Sequence, residues 1–218
     1  MNEMVVYFAG DPYARGDLKT TGALIKFAAL IEGATSLFAF LILVLSAKFG
    51  ASIFLKDPTL ANHIVFYGVT ILAGAIIETA NGTLRIFGAY KSIAWINLIQ
   101  NIVVLAVILL CGGERLDLRE ILLAYLIGKV LLCVAPVLAA LRLLPKKLGQ
   151  DWWTAPSAKL TNRREILKFT FSTNVSNTIN LVARDGELLW IGALLTPLYA
   201  GYYKTAMTVI NLILLPIN

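Results

Sequence analysis

The chain has 218 residues, 58% apolar and 15% charged, where a water-soluble domain carries about 45–50% and roughly 25%, and a globule of this size exposes too much surface to hide the surplus. A soluble enzyme does not fit. His63 is the only histidine, Cys111 and Cys133 sit in apolar runs, and the net charge of +6 comes from basic residues that punctuate apolar stretches, so a multi-histidine metal site, a disulfide framework and a nucleic-acid face all lack their residues.

In chain order, MNEMVVYFAG is mildly apolar, too short to span a bilayer, and without the basic start and cleavage site of a signal peptide; it reads as the tail of a preceding segment. A hydrocarbon core of about 30 Å takes roughly 20 apolar residues as a helix. That length predicts spans at about 22–47, 60–80, 92–111, 120–142 and 169–195, and a sixth from about 198 that is still apolar at NLILLPIN. The runs Leu41–Leu45, Ile102–Leu110 and Leu131–Leu141 do not alternate in polarity, as barrel strands would. The expected fold is all-α, a polytopic membrane helical bundle of about six transmembrane helices, and the chain reads as an internal piece of a longer protein.

If each helix crosses once, eleven Lys and Arg fall on one side: Arg15, Lys19, Arg85, Lys91, Arg142, Lys146, Lys147, Lys159, Arg163, Arg164 and Lys168. Four, Lys48, Lys56, Arg115 and Arg119, fall on the other, and Lys26, Lys129, Arg184 and Lys204 lie within spans. The excess of cations marks the cytoplasmic side. The one long connection, 144–168, carries Pro145, Gly149 and Pro156, with Trp152 and Trp153 beside basic residues. It is expected along the cytoplasmic headgroups, where indoles and cations are both favoured, a reading compatible with an ordinary linker between bundles.

The fifth span is the unusual one. Thr173, Asn177, Asn180, Arg184 and Glu187 follow each other at intervals of four and three, which stacks them on one helix face with Asp185 beside it. An ionised group facing lipid at the bilayer centre costs roughly 2.5–3.5 kcal/mol on insertion scales, so this face points at protein or at a watery cavity. Arg184 and Glu187 either neutralise one another within the bundle, or Arg184 lines a cavity and meets an anionic group such as a phosphate, with Asp185 and Glu187 setting its orientation. Lys129, in mid-span, is a second cavity candidate or the partner of a carboxylate on another helix. Lys204, Thr208 and Asn211 make a shorter stripe in which the lysine snorkels. Glu32 lies deeper in its span than Glu78 and is the candidate for proton coupling, since burial disfavours a charged carboxylate. His63 reads as interfacial, and Asn81-Gly-Thr83 and Asn174-Val-Ser176 as chance matches to the glycosylation pattern. No phosphate-cradling glycine loop, nucleotide fingerprint or nucleophile–base pair is present in the sequence, so no catalytic machinery is expected, and no cofactor or metal.

Two stretches carry a resemblance. Residues 165–210, with Asp185, Ile191-Gly192, Gly201, Tyr203 and Ala206, resemble the opening of the second half of the polysaccharide-export flippases of the multidrug/oligosaccharidyl-lipid/polysaccharide superfamily. Residues 81–103, with Leu84, Arg85, Gly88 and Lys91, are similar to that family's loop after the fourth helix. The resemblance implies a two-lobed transporter of about fourteen helices. Residues 1–143 would then be part of the N-terminal lobe, from the end of helix two to helix six; 144–168 the basic cytoplasmic linker; and 169–218 the start of the C-terminal lobe. It implies translocation of an undecaprenyl-diphosphate-linked oligosaccharide across the bacterial plasma membrane by alternating access, with Arg184 and Lys129 on the diphosphate and Thr173, Asn177 and Asn180 on sugar hydroxyls. The implied partners are that lipid-linked oligosaccharide, membrane lipids and polysaccharide polymerase or assembly proteins. A drug/cation antiporter of the same superfamily, using Glu32 or Asp185, and a polytopic lipid-linked glycosyltransferase or polymerase are the alternatives.

Overall fold

The computed structural model describes residues 1–111, 118–154 and 163–214, and among these not the side chains at 111, 118, 119, 184, 185 and 212–214. Arg115, Pro156 and Lys159, and the side chains of Cys111, Arg119, Arg184 and Asp185, therefore lie outside the described residues. Among those described there are eight α-helices and no strand: α1 (Asn2–Ala14), α2 (Leu18–Phe54), α3 (Ala61–Ala73), α4 (Ile77–Ile86), α5 (Tyr90–Cys111), α6 (Leu118–Leu148), α7 (Arg163–Leu194) and α8 (Pro197–Leu214), with short 3-10 turns at Pro58–Leu60 and Gln150–Thr154.

Local chemistry sets these boundaries. The Asp17 carboxylate accepts from the Thr20 N–H at 3.1 Å, an N-cap that opens α2 where the apolar run alone placed the start of the span near residue 22. Gly88 closes α4 in the left-handed region, φ +69°; Ala89 N–H then reaches back to the Leu84 carbonyl at 2.8 Å, satisfying a carbonyl at the helix end. α6 continues through Pro145 to Leu148, so the connection starts later than the proline indicates.

Four stretches are long and apolar enough to cross a membrane: Leu18–Phe54, Pro58–Ile86, Tyr90–Leu110 and Glu120–Leu148. Large apolar side chains stand outward along them, Leu45 and Leu110 being 85% and 86% exposed, an arrangement tolerable in lipid and not in water. The chain is a membrane protein. The spans expected at 169–195 and from 198 are the helices α7 and α8, but recurrent Thr, Ser, Asn and Lys leave them more polar than the other four.

The second span is not one helix. α3 ends at Ala73 and α4 begins at Ile77, with Ile76 at φ −136° and ψ 20°. No proline causes the break. Gly74 stands so close to α6 that a Cβ there would lie 3.2 Å from Cys133 Sγ, and the first turn of α4 is held from outside, by Glu32.

Two compact units are present. In the first, Met1–Ile42 with Tyr67–Phe171, the core joins Met4, Val5 and Ala9 of α1 to Ala23, Leu24, Ile25 and Ala28 of α2, Leu144 and Leu148 of α6 and Ile166 of α7, with Ile86, Phe87 and Trp152 packed on it. In bilayer, where lipid tails are as apolar as leucine, such contacts hold by close packing of small residues. The buried Ala124 and Gly128 on α6 let α5 approach until a Cβ at Gly128 would stand 2.0 Å from Val104 Cγ2. In the second unit, Leu43–Phe66 with Ser172–Asn218, the Lys56 ammonium donates to the Leu195 carbonyl at 2.6 Å, tying the turn after α2 to the turn after α7.

Candidate functional site

α7 runs without interruption from Arg163 to Leu194, so the spacing of Thr173, Asn177, Asn180, Arg184 and Glu187 does place them along one helical face. Asn177 and Asn180 are exposed and Thr173 is half-buried. The apolar residues of the same stretch, Val175, Ile179 and Val182, are exposed too, so this part of the helix carries a polar face and an apolar face. Glu187 is exposed, and the Tyr203 hydroxyl of α8 donates to its carboxylate. The pair links α7 to α8, which the sequence did not reveal, although Tyr203 was among the residues carrying the resemblance.

Lys129 is exposed on α6 in the first unit. Lys204 is exposed on α8, where Thr208 donates to the Lys204 carbonyl at 2.8 Å, closing that short stripe within its own helix. Lys26, counted within a span, donates to the Trp153 carbonyl at 2.6 Å, with its ammonium 5.9 Å from the Trp153 ring centre. The turn at Gln150–Thr154 is thus fastened to α2. Trp152 packs on the core while Trp153 is exposed, so one of the two indoles expected at the headgroups is taken up by the protein. The Asn81-Gly-Thr83 triplet lies inside α4 with Thr83 buried.

Glu32 is the best-defined polar centre. It is buried, and its two carboxylate oxygens accept from the Glu78 N–H at 2.8 Å, the Thr79 N–H at 2.8 Å and the Thr79 hydroxyl at 2.6 Å. The first N–H groups of a helix have no partner within it, and a carboxylate there also meets the positive end of the helix dipole. Glu32 therefore caps α4 from a neighbouring helix. It lies fourteen residues into α2, about 21 Å along the axis at 1.5 Å per residue. Glu78, by contrast, contributes its backbone and is itself exposed. Reading the residues one by one found Glu32 but not its partners, because they lie 46 and 47 residues away across a helix break.

Among the described residues, then, the chain offers a polar face on α7, a buried carboxylate holding a discontinuous span, and cations at the helix ends. A family model described as polysaccharide biosynthesis protein matches residues 25–218. The chain belongs to that family. The match takes in Glu32, the broken span and all of the α7 face, and it bears out the resemblance read from residues 81–103 and 165–210. No curated protein and no solved structure matches the chain. Membership in the polysaccharide biosynthesis family gives the membrane-embedded helices a role in polysaccharide biosynthesis or export.

Proposed function

We propose that this member of the family forms part of a flippase that carries a lipid-linked oligosaccharide, with an undecaprenyl-diphosphate carrier, across the bacterial plasma membrane, and that its work is transport rather than catalysis. The observation that carries this reading is the polar face of α7: Thr173, Asn177, Asn180, Arg184 and Glu187 on one uninterrupted helix of a protein that is 58% apolar. A diphosphate and its sugars cannot cross hydrocarbon unaided, and a wall of amides, a hydroxyl and a guanidinium offers the hydrogen bonds and charge they lose on leaving water. In this reading Arg184 meets the diphosphate, Asp185 and Glu187 orient Arg184, and polymerase or assembly proteins receive the product.

The test is flipping of a fluorescent lipid-linked oligosaccharide in proteoliposomes. Arg184→Lys keeps the charge but loses the planar fork that grips a phosphate at two points. It is expected to slow flipping at least tenfold, and Asn180→Ala severalfold; wild-type rates in both would remove the α7 face from the path.

The buried Glu32 favours one addition, coupling to a proton gradient. Protonation would turn an acceptor that holds three donors into one that must also donate, loosening α4. Under this addition Glu32→Gln abolishes the dependence of flipping on an imposed pH gradient, whereas an unaltered dependence would rule Glu32 out.

A further inference from the structure

Within residues 142–154 and 163–171 of the first unit, six cations, Arg142, Lys146, Lys147, Arg163, Arg164 and Lys168, stand against two acids, Asp151 and Glu165. Packing sorts them by face. On α6 the buried residues Ala140, Leu144 and Leu148 recur every four positions, so Arg142 and Lys146, midway between them, lie on the opposite side of the helix, and both are exposed. On α7 Ile166 and Thr170 are buried. Arg164 and Lys168 stand midway in the same manner and are exposed. None of these four cations makes an ion pair among the described residues.

What lies beside each pair selects its ligand. On α6 the face of Arg142 and Lys146 is preceded, one turn deeper in the span, by the exposed Leu138. On α7 the face of Arg164 and Lys168 continues inward with Phe171, 73% exposed, and the exposed Val175. Both faces therefore change from apolar to cationic as they leave the hydrocarbon, the order in which a phospholipid presents acyl chain and phosphate. The methylene stems of Lys and Arg can lie along that boundary with the charge at phosphate level. The turn after α6, which Lys26 fastens to α2, adds Trp153, 67% exposed, an indole of the kind that collects at headgroups. A soluble acidic protein would match the cations but has no use for Leu138 and Phe171. It would also meet Lys146 and Arg164 before Arg142 and Lys168, which lie about 6 Å deeper at 1.5 Å per residue. We propose that these two faces bind anionic phospholipid headgroups and so fix the end of α6 and the start of α7 at the membrane surface. The inference needs only a membrane-spanning chain and does not rest on the flippase reading.

The test is native mass spectrometry of the full chain released from nanodiscs of equal parts phosphatidylglycerol and phosphatidylcholine, counting the lipids it retains. A single cation near an anionic surface is worth a factor of about five, so retained phosphatidylglycerol is expected to exceed phosphatidylcholine at least about fivefold. Arg142→Gln with Lys146→Gln, and Arg164→Gln with Lys168→Gln, are each expected to halve that ratio or more, and all four together to bring it to parity. Arg142→Lys with Arg164→Lys keeps it, because charge at that depth is what the phosphate needs. Arg85→Gln with Lys91→Gln removes as much charge from exposed positions outside these faces and leaves the ratio unchanged. An equal fall in that variant would replace a built site by diffuse attraction and overturn the proposal, as would a wild-type ratio near parity. Displacement of the retained phosphatidylglycerol by polyglutamate added to the aqueous phase would overturn it in favour of an acidic protein partner.

Discussion

At Glu32 a single side chain replaces a missing turn of helix. Removing it as Glu32→Ala leaves the buried Thr79 N–H and hydroxyl and the part-buried Glu78 N–H without their acceptor, and each of the two buried groups costs about 1–3 kcal/mol. Thermal unfolding in detergent is therefore expected to show a loss of at least about 2 kcal/mol, with amide exchange rising first at Glu78 and Thr79. Thr79→Val removes one donor together with its need and is expected to cost about 1 kcal/mol. Gly128 is a matter of space instead of charge. With Val104 Cγ2 at 2.0 Å from where a Cβ would stand, Gly128→Ala forces α5 and α6 apart, an overpacking cost of about 1–3 kcal/mol. Adding Val104→Ala should recover most of it; additive losses in the pair would show that the two residues do not share this contact. Asp57 carries a pH signature outside the spans. Its carboxylate accepts from the Thr59 hydroxyl and N–H, and these bonds hold its pKa below the usual aspartate value of about 3.9. A lowered folded pKa means that the cap contributes above the unfolded value and is lost as pH falls through the folded one. Exchange of the Thr59 amide should accordingly quicken only in acid, below about pH 4.

Elements separate what the residues disclosed from what they concealed. Helix α7 was legible because its polar residues recur every three or four positions, and a helix keeps such residues in line whatever surrounds it. The starts of α2 and the end of α4 were written locally, in Asp17 and Gly88. The break between α3 and α4 was not, since the apolar run continues through it without proline, and the Glu32 that holds the start of α4 belongs to another helix. The turn at Gln150–Thr154 falls between these cases. Its indoles were visible beside basic residues, but the lysine that fastens it is Lys26, 127 residues from Trp153. Lys26→Met removes that bond at an exposed site and is expected to cost the turn about 1 kcal/mol, read as a roughly fivefold faster amide exchange over 150–154 with the core of α6 unchanged. An unaltered rate would mean that Trp152 alone, packed on the core, holds the turn.

On the scale of the whole molecule, two independent arguments converge on how the chain is threaded. Counting cations assumes single crossings and gathers residues 15–19, 85–91 and 142–168 on one side. In the first unit the core cluster joins the start of α2, the residues just after α4, the end of α6 and the start of α7, which are the same ends, brought together by packing instead of charge. Within the second unit, the turn after α2 is bonded to the turn after α7 through Lys56 and Leu195. The prediction is made with single cysteines in a background where Cys111 and Cys133 are replaced. Exposed positions Lys146 and Trp153 should react with a membrane-impermeant maleimide only after the cells are opened, and Lys56 and Thr59 in intact cells. Reaction of Trp153→Cys from outside would invert the assignment. Equal labelling of both sets in intact cells would mean that the chain inserts in two orientations, and a cation excess of eleven against four is then too weak to direct it.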